Sequence, residues 1–160
     1  MFLRKPNMIL LIGCVLMSLF GFYGFYINAR PVPDNLRAVS GTVASAEAGQ
    51  RRSRNSIHTV WFTLEGSSER FAYPGILPRI SDVWGRLEVG TQVRVVYAPK
   101  PDSGDGVELW GLSIAGAEFI SPAEARDARL KNGYFALELG VAFAGCAAYT
   151  FRQVKRGRPA

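Results

Sequence analysis

Glu138 is the residue whose type and position most directly suggest chemistry, since it is the one charge in an otherwise apolar run at positions 133–151. A carboxylate inside such a run is costly in a bilayer, and it marks either an ion path or a contact between helices. At the helical rise it lies about 7 or 8 Å from the start of the run. We expect it to reach the membrane interface or to contact Tyr23 or Tyr26 of a first apolar run, with proton or ion transport as the alternative.

The other reactive side chains form no recognisable catalytic or metal-binding set. His58 is the only histidine, so neither a histidine-rich zinc site nor a Ser-His-Asp triad can be assembled. Asp102 and Asp105 lie in a Gly-rich loop without the spacing and closing glutamate of a calcium-binding loop, which favours a turn. The sequence therefore predicts no enzymatic activity, no metal and no cofactor.

A basic cluster in the loop between the first two predicted strands could make a surface contact. Such a cluster is commonly a solvated loop tip, and the alternative is contact with acidic headgroups or an acidic partner. The cluster consists of Arg51, Arg52 and Arg54.

The element that positions the rest of the chain is residues 8–27, which carry no charge. A helix of this length spans about 30 Å, the thickness of the hydrocarbon core of a bilayer. A cleavable signal peptide is one alternative, although its apolar region would be shorter and the best cleavage motif, residues 27–29, has the bulky Ile27 where a small residue is wanted. A lipobox at residues 11–14, with Cys14 acylated, is another, although a polar tether does not follow. The sequence favours an uncleaved transmembrane helix.

Small residues recur every fourth position in the second apolar run and form one stripe of the predicted helix. Small residues let transmembrane helices approach closely, so that van der Waals packing holds them. The partner would be the glycines of the first run, with a second copy of the chain or a lipid-facing surface as alternatives. The predicted packing residues are Ala136, Gly140, Ala144 and Ala148 in the second helix and Gly13, Gly21 and Gly24 in the first.

The basic excess of the chain flanks these two runs, which explains the formal net charge of +6 without a nucleic-acid partner. Both termini are therefore predicted to be cytoplasmic in an inner, plasma membrane, with residues between the spans periplasmic or extracellular. The bias is narrow, because five basic residues also lie outside, close to the spans. The inside set is Arg4, Lys5, Arg152, Lys155, Arg156 and Arg158, and the outside set is Arg30, Arg37, Arg126, Arg129 and Lys131.

Period-two alternation between the two spans predicts a small β domain. The alternation is clear at residues 57–64 and 92–98, with further strands at 37–47, 69–73 and 107–114, and a short helical turn at 80–86. Five short strands in so small a domain favour a closed or strongly bent sheet, because a flat one would expose its edges. We predict a membrane α+β protein in which two transmembrane helices flank a mostly antiparallel, five-stranded, β-barrel-like domain of the OB or SH3 kind.

A helix is predicted to begin after Ser121, where Pro122 suits the first helical position and Glu124 completes a capping box. The helix would run to residue 132 and continue into the second span, with a possible break at Asn132 and Gly133. The predicted organisation is 1–7 cytoplasmic, 8–27 first span, 28–36 linker, 37–120 β domain, 121–132 juxtamembrane helix, 133–151 second span and 152–160 basic cytoplasmic tail.

Three segments of the β domain are similar to the domain of unknown function 3592 family of bacterial membrane proteins. They are residues 39–43 (VSGTV), 61–66 (WFTLEG) and 89–99 (VGTQVRVVYAP), and the third follows the family pattern of a Gly turn, alternating valines and a Tyr-Asp-Pro motif, with Ala98 in place of the Asp. The resemblance covers about residues 37–115. It implies a small β module beside transmembrane helices and brings no catalytic residues.

These features predict a multi-pass membrane protein that displays a β module for protein–protein interaction or envelope assembly. Its partners would be the membrane itself and either another protein or further copies of the chain. The alternative is an accessory subunit of a membrane transport complex that uses Glu138 and the small-residue stripe.

Overall fold

The computed structural model describes residues 5–50, 57–99 and 107–156, without the side chains of residues 5–7, 50 and 156. The chain divides into two compact units. One consists of the terminal segments Met1–Arg30 and Leu130–Ala160, and the other is Pro31–Arg129. The elements in chain order are α1 (Lys5–Asn28), β1 (Arg37–Gln50), β2 (Ile57–Leu64), β3 (Arg70–Pro74), α2 (Ile80–Arg86), β4 (Gln92–Tyr97), β5 (Val107–Ile114), β6 (Ala117–Ile120) and α3 (Pro122–Arg156).

The second unit is built on a closed barrel of five strands, as the short-strand pattern predicts. The strands follow the order β3, β2, β1, β4 and β5, and a pairing between β3 and β5 closes the circle. All pairings in the circle are antiparallel except this closing one, which is parallel and joins Phe71 with Val107 and Ala72 with Glu108. The barrel is therefore mixed, and closure leaves no edge among these five strands.

The long strand β1 takes part in both halves of the barrel. Its first half, from Arg37 to Thr42, pairs with β4, and its second half pairs with β2. A register shift between Val43 and Ser45 separates the two halves. An irregularity of this kind adds bend and twist to a strand, which lets one strand turn the corner of a small barrel.

The alternation of β2 positions its apolar side chains inside the barrel. Val60, Phe62 and Leu64 are buried, while the residues between them are only partly covered. The core continues with buried side chains from each of the other strands and from the segment around α2. Its largest fully buried members are Tyr73, Phe62, Phe71, Leu77, Leu109, Leu112, Ile120, Val43, Val60, Val83 and Val95.

A sixth short strand, β6, which the sequence did not predict, lies beside β5. Ile114 pairs with Ala117 across a two-residue turn in which Ala115 has φ 49° and Gly116 has φ 81°. Two consecutive positive φ values match the twist of a β-hairpin and are characteristic of a type I′ turn. Phe119 and Ile120 are buried, so β6 adds to the core of the unit.

Helix α3 begins with the capping box that the sequence predicts. The Glu124 backbone N–H donates to Ser121 Oγ at 3.2 Å, and the Ser121 backbone N–H donates to Glu124 Oε2 at 3.0 Å. Arg79, which has φ 59° and precedes α2, adds an ion pair of 3.6 Å from Nη2 to Glu124 Oε1. These contacts join the first turn of α3 to the start of α2.

Helix α3 is continuous through Asn132 and Gly133, in contrast to the break considered at these residues. Gly133 is buried, and a Cβ there would lie 3.2 Å from the Asn28 Cβ. Asn132 Nδ2 donates to Asn28 Oδ1 at 3.3 Å. The glycine therefore serves a close approach between two helices, and its intrinsic cost of about 1 kcal/mol in a helix does not end this one.

Candidate functional site

Helices α1 and α3 pack against each other within the first unit through glycines. A Cβ added at Gly21 would lie 2.6 Å from Gly140 Cα and 2.7 Å from the carbonyl oxygen of Ala136. A Cβ at Gly24 would lie 3.1 Å from that of Ala136. Backbone therefore meets backbone at Gly21, and the structure brings together four of the packing residues named from the sequence.

The buried seam of this helix pair follows a seven-residue spacing, which differs from the predicted stripe of every fourth residue. Gly133, Gly140 and Ala147 are buried, Ala144 is partly covered and Ala148 is exposed. Four residues turn a helix by about 400°, so a four-residue stripe drifts by about 40° at each step, whereas seven residues drift by only about 20°. Ala147 is therefore the alanine that packs in the seam, where the four-residue stripe predicted Ala148.

The matching seam of α1 has the alternating three- and four-residue spacing of a coiled coil. Cys14, Ser18 and Gly21 are buried on it, whereas Gly13 lies outside it, and a Cβ added at Gly13 would have no atom within 4 Å. Ser18 and Phe25 were not predicted as packing residues, although their spacing is visible in the sequence. The seam residues are Leu11, Cys14, Ser18, Gly21, Phe25 and Asn28.

Outside the seam, large apolar side chains of residues 8–28 and 133–151 are exposed. Segments Met8–Asn28 and Pro122–Lys155 are long and apolar enough to cross a membrane, and only 17% of the most apolar 18-residue window of each is buried. The large exposed side chains include Ile9, Leu16, Phe20, Phe135 and Val141. Pairing of the two helices therefore leaves most of the apolar surface of these segments uncovered by the described residues.

The structure does not bring the predicted polar trio Glu138, Tyr23 and Tyr26 together. Glu138 precedes Gly140 by two residues, about 200° around the helix, and it is exposed on the side away from the seam. Tyr23 and Tyr26 are 61% and 65% exposed, and among the described residues no hydrogen bond or ion pair joins either to Glu138. Tyr26 instead lies under the guanidinium of Arg30, at 5.5 Å from ring centroid to Cζ.

An ordered group of side chains covers the outer surface of β1, β2 and β3 in the barrel unit. The Arg70 guanidinium lies 5.2 Å from the Trp61 ring centroid, and Arg70 Nη2 donates to Glu47 Oε2 at 2.7 Å. A Cβ at Gly49 would lie 2.6 Å from the indole, so the ring lies directly over this glycine. We refer to Glu47, Trp61 and Arg70 as the Trp61 face.

His58 adjoins the Trp61 face and has a structural hydrogen bond. Its Nδ1 is 2.9 Å from the Gly49 carbonyl oxygen, and its ring meets that of Trp61 edge-on at 6.1 Å. Across the described residues, no group of three or more His, Cys, Asp or Glu side chains is arranged to hold a metal ion.

A buried arginine joins α3 to β5 within the barrel unit. The Arg129 side chain is 8% exposed, and its Nη1 donates to Glu108 Oε1 while Nη2 donates to the Leu109 carbonyl at 3.0 Å. Its guanidinium also lies 4.6 Å from the Trp110 ring centroid. Arg129 had been counted from the sequence only as a basic residue near a span, because nothing in the sequence pairs it with Glu108, 21 residues earlier.

Two tyrosines of the barrel are held in their neutral form. Burial raises the pKa of Tyr73 to about 12, and its hydroxyl donates to the Pro78 carbonyl at 2.5 Å. Burial and then a hydrogen bond to the Glu69 carboxylate raise the pKa of Tyr97. Both pKa values move away from neutrality, so neither phenol is prepared for proton transfer at physiological pH.

The remaining sequence-predicted residues have the following places. Cys14 is buried in the seam and Cys146 is exposed, and both are free thiols. Arg51, Arg52 and Arg54, together with Asp102 and Asp105, lie outside the described residues.

Comparisons with known proteins give no relative from which a function could be transferred. A scan against protein-family models, a search of curated proteins and a search of solved structures each find no match to this chain.

Proposed function

We propose that the chain is a non-enzymatic membrane protein, anchored by α1 and α3 as an antiparallel hairpin, that displays its barrel outside the cytoplasm as a docking module for a partner protein in the cell envelope. The observation that carries the anchor is the exposure pattern of the helix pair. The two helices bury small residues against each other and leave large apolar side chains outside, as expected where lipid is the solvent.

Exposed tyrosines at both ends of the helix pair support the same proposal. Tyr23, Tyr26 and Tyr134 lie toward one end, and Tyr149, which is 66% exposed, lies toward the other. Tyrosine prefers the two membrane–water interfaces, where the ring is in contact with lipid and the hydroxyl with water. Tyr134 and Tyr149 are fifteen residues apart, which corresponds to about 22 Å along a helix.

The barrel connectivity supports an OB-like module rather than an SH3-like one. The circle of strands runs β1, β2, β3, β5 and β4, and α2 stands between β3 and β4. OB-folds bind oligonucleotides and oligosaccharides on the sheet surface around strands 2 and 3, so this surface of the fold can be open to a ligand. The Trp61 face lies on this surface, and tryptophan and arginine are enriched among the residues that dominate protein interfaces. The proposed docking surface is therefore the Trp61 face.

Site-specific photocrosslinking in native membranes tests the docking function. A photoreactive residue replacing Thr63, beside the Trp61 face, is expected to yield one discrete crosslinked protein, and Trp61→Ala is expected to remove it. The matched control carries the photoreactive residue at Ser113, on the other side of the barrel, and is expected to yield none. Equal crosslinking from both positions, or from neither, would contradict the docking proposal.

A second candidate function, an accessory subunit of a transport complex, is favoured by one specific observation. Glu138 is an exposed carboxyl side chain on an apolar helix surface, and a partner helix would offer it a polar contact. Glu138→Gln keeps the shape and removes the charge. We expect this variant to retain the crosslink from position 63 at wild-type yield. If cells that carry the Glu138→Gln variant lost the function of the protein while the crosslink from position 63 was unchanged, the transport role would be favoured instead.

A further inference from the structure

The antiparallel pairing of α1 and α3 collects basic residues at one end of the helix pair. Gly21 lies against Gly140, and Asn28 against Asn132, so the beginning of α1 and the end of α3 share one end. Two basic residues lie in the flank of α1, and four follow residue 151 in α3 and the tail. No acidic residue occurs in positions 1–33 or 139–160. We call these helix ends, with Lys5 in α1 and Arg152, Lys155 and Arg156 in α3, the basic end; Arg4 and Arg158 lie outside the described residues.

The opposite end of the pair also has basic residues nearby, but acidic residues are interspersed with them. There, Lys131 has Asp127 four residues before it on the same helix, at the spacing of an ion pair, and Glu138 two turns after it. Arg30 at this end lies over the Tyr26 ring. The two ends therefore differ in charge although both border the same apolar helix surface.

We propose that the basic end binds the headgroups of anionic phospholipids, an inference that rests on the proposed membrane anchor. Arg152 and Lys155 are exposed, and they lie within two turns of Tyr149, whose hydroxyl accepts a hydrogen bond from Gln153 Nε2 at 3.1 Å. Basic side chains that follow a membrane helix directly lie at headgroup depth, where each one attracts anionic lipid by about fivefold.

A lipid fits this end better than a nucleic acid does. Residues 152–160 contain no aromatic side chain, and the exposed aromatic residues next to them, Tyr149 and Phe151, belong to the apolar helix surface. The apolar helix surface continues up to Phe151, which places the basic residues beside acyl chains as well as phosphates. A phospholipid supplies both partners in one molecule.

Electron paramagnetic resonance with spin-labelled lipids tests the proposal on the full chain in phosphatidylcholine bilayers. Lipid in contact with a membrane protein gives a motionally restricted component, and its size for labelled phosphatidylglycerol relative to labelled phosphatidylcholine gives a relative association constant. We expect phosphatidylglycerol to be favoured by about fivefold at low salt. The preference is expected to fall toward one in 1 M NaCl, where the Debye length is about 3 Å.

Two variants with the same loss of charge separate the two ends. The double variant Arg152→Gln and Lys155→Gln is expected to lower the preference severalfold. The matched double variant Arg30→Gln and Lys131→Gln, at the opposite end, is expected to keep the wild-type value. Equal losses in both variants would overturn the assignment to the basic end.

The outcome also distinguishes this inference from the anchor on which it rests. A restricted component without preference for phosphatidylglycerol would overturn lipid binding and leave the anchor intact. Absence of any restricted component would overturn both.

Discussion

Gly21→Ala is expected to weaken the pairing of α1 with α3 by about 1–3 kcal/mol, the usual cost of forcing an extra group into a packed contact. The added methyl group would lie 2.6 Å from Gly140 Cα and from Gly140 N, and backbone atoms cannot turn aside as a flexible side chain can. The helices must move apart along the seam. The two chain ends follow the same end of the helix pair, so a dye can be attached at each. Energy transfer between the two dyes then reports the separation of α1 from α3 during an SDS titration in mixed micelles.

Two other helical glycines provide the control for this variant. Around Gly13 in α1 and Gly145 in α3, no atom lies within 4 Å of an added Cβ. Alanine at either position is expected to leave pairing unchanged or to strengthen the helix by up to about 1 kcal/mol. A Gly21→Ala protein as stable as the Gly145→Ala protein would contradict the seam.

Arg129→Leu is expected to destabilise the barrel unit by about 2–3 kcal/mol. Loss of one member of a buried ion pair costs roughly 3–5 kcal/mol. We expect a smaller loss, about 2–3 kcal/mol, because the Glu108 side chain is 36% exposed. Two buried N–H groups, Arg129 Nε and Trp110 Nε1, also have no hydrogen-bond partner among the described residues, which offsets part of the value of the wild-type contact. All three tryptophans lie in this unit, so their fluorescence can follow urea unfolding of the full chain in detergent.

Arg126→Leu is the matched control, since Arg126 lies one turn earlier on the same helix and is exposed. Substitutions at such surface positions usually change stability by less than about 0.5 kcal/mol. If the two leucine variants unfolded at the same urea concentration, the buried arginine would have no special role in holding α3 to β5.

Local signals predicted the barrel strands well where side-chain alternation and turn residues agreed. Residues 57–64 and 107–114 coincide with β2 and β5, and the helical turn at 80–86 coincides with α2. The capping box at Ser121 gave the start of α3 because its hydrogen bonds lie within four residues. Each of these features depends on neighbours in sequence.

The features that the sequence did not reveal depend on distant residues or on an unusual local conformation. Strand β6 was missed because Ala115 occupies a positive-φ position that usually takes Asn, Asp or Gly in a two-residue hairpin. The parallel closure of β3 with β5 joins residues far apart in the chain and has no local signature.

The helix pair illustrates a limit of pattern reading in the candidate site. Gly21, Gly24, Ala136 and Gly140 were identified by size alone, and they do meet. Size could not distinguish Ala147 from Ala148, because the choice depends on helical rotation accumulated over several turns. The same rotation turns Glu138 away from Tyr23 and Tyr26. The sequence argument used only the position of Glu138 along the helix axis, which does not give the direction in which the residue faces.

The central claim is that α1 and α3 cross a membrane as a hairpin, and one pair of reporter fusions tests it most directly. Alkaline phosphatase is active only outside the cytoplasm. Green fluorescent protein is fluorescent in the cytoplasm and not after export in unfolded form. A hairpin with cytoplasmic termini predicts that phosphatase inserted between residues 99 and 107 is active and that green fluorescent protein fused after Ala160 is fluorescent. Activity of phosphatase at both positions, or fluorescence at both, would contradict the hairpin.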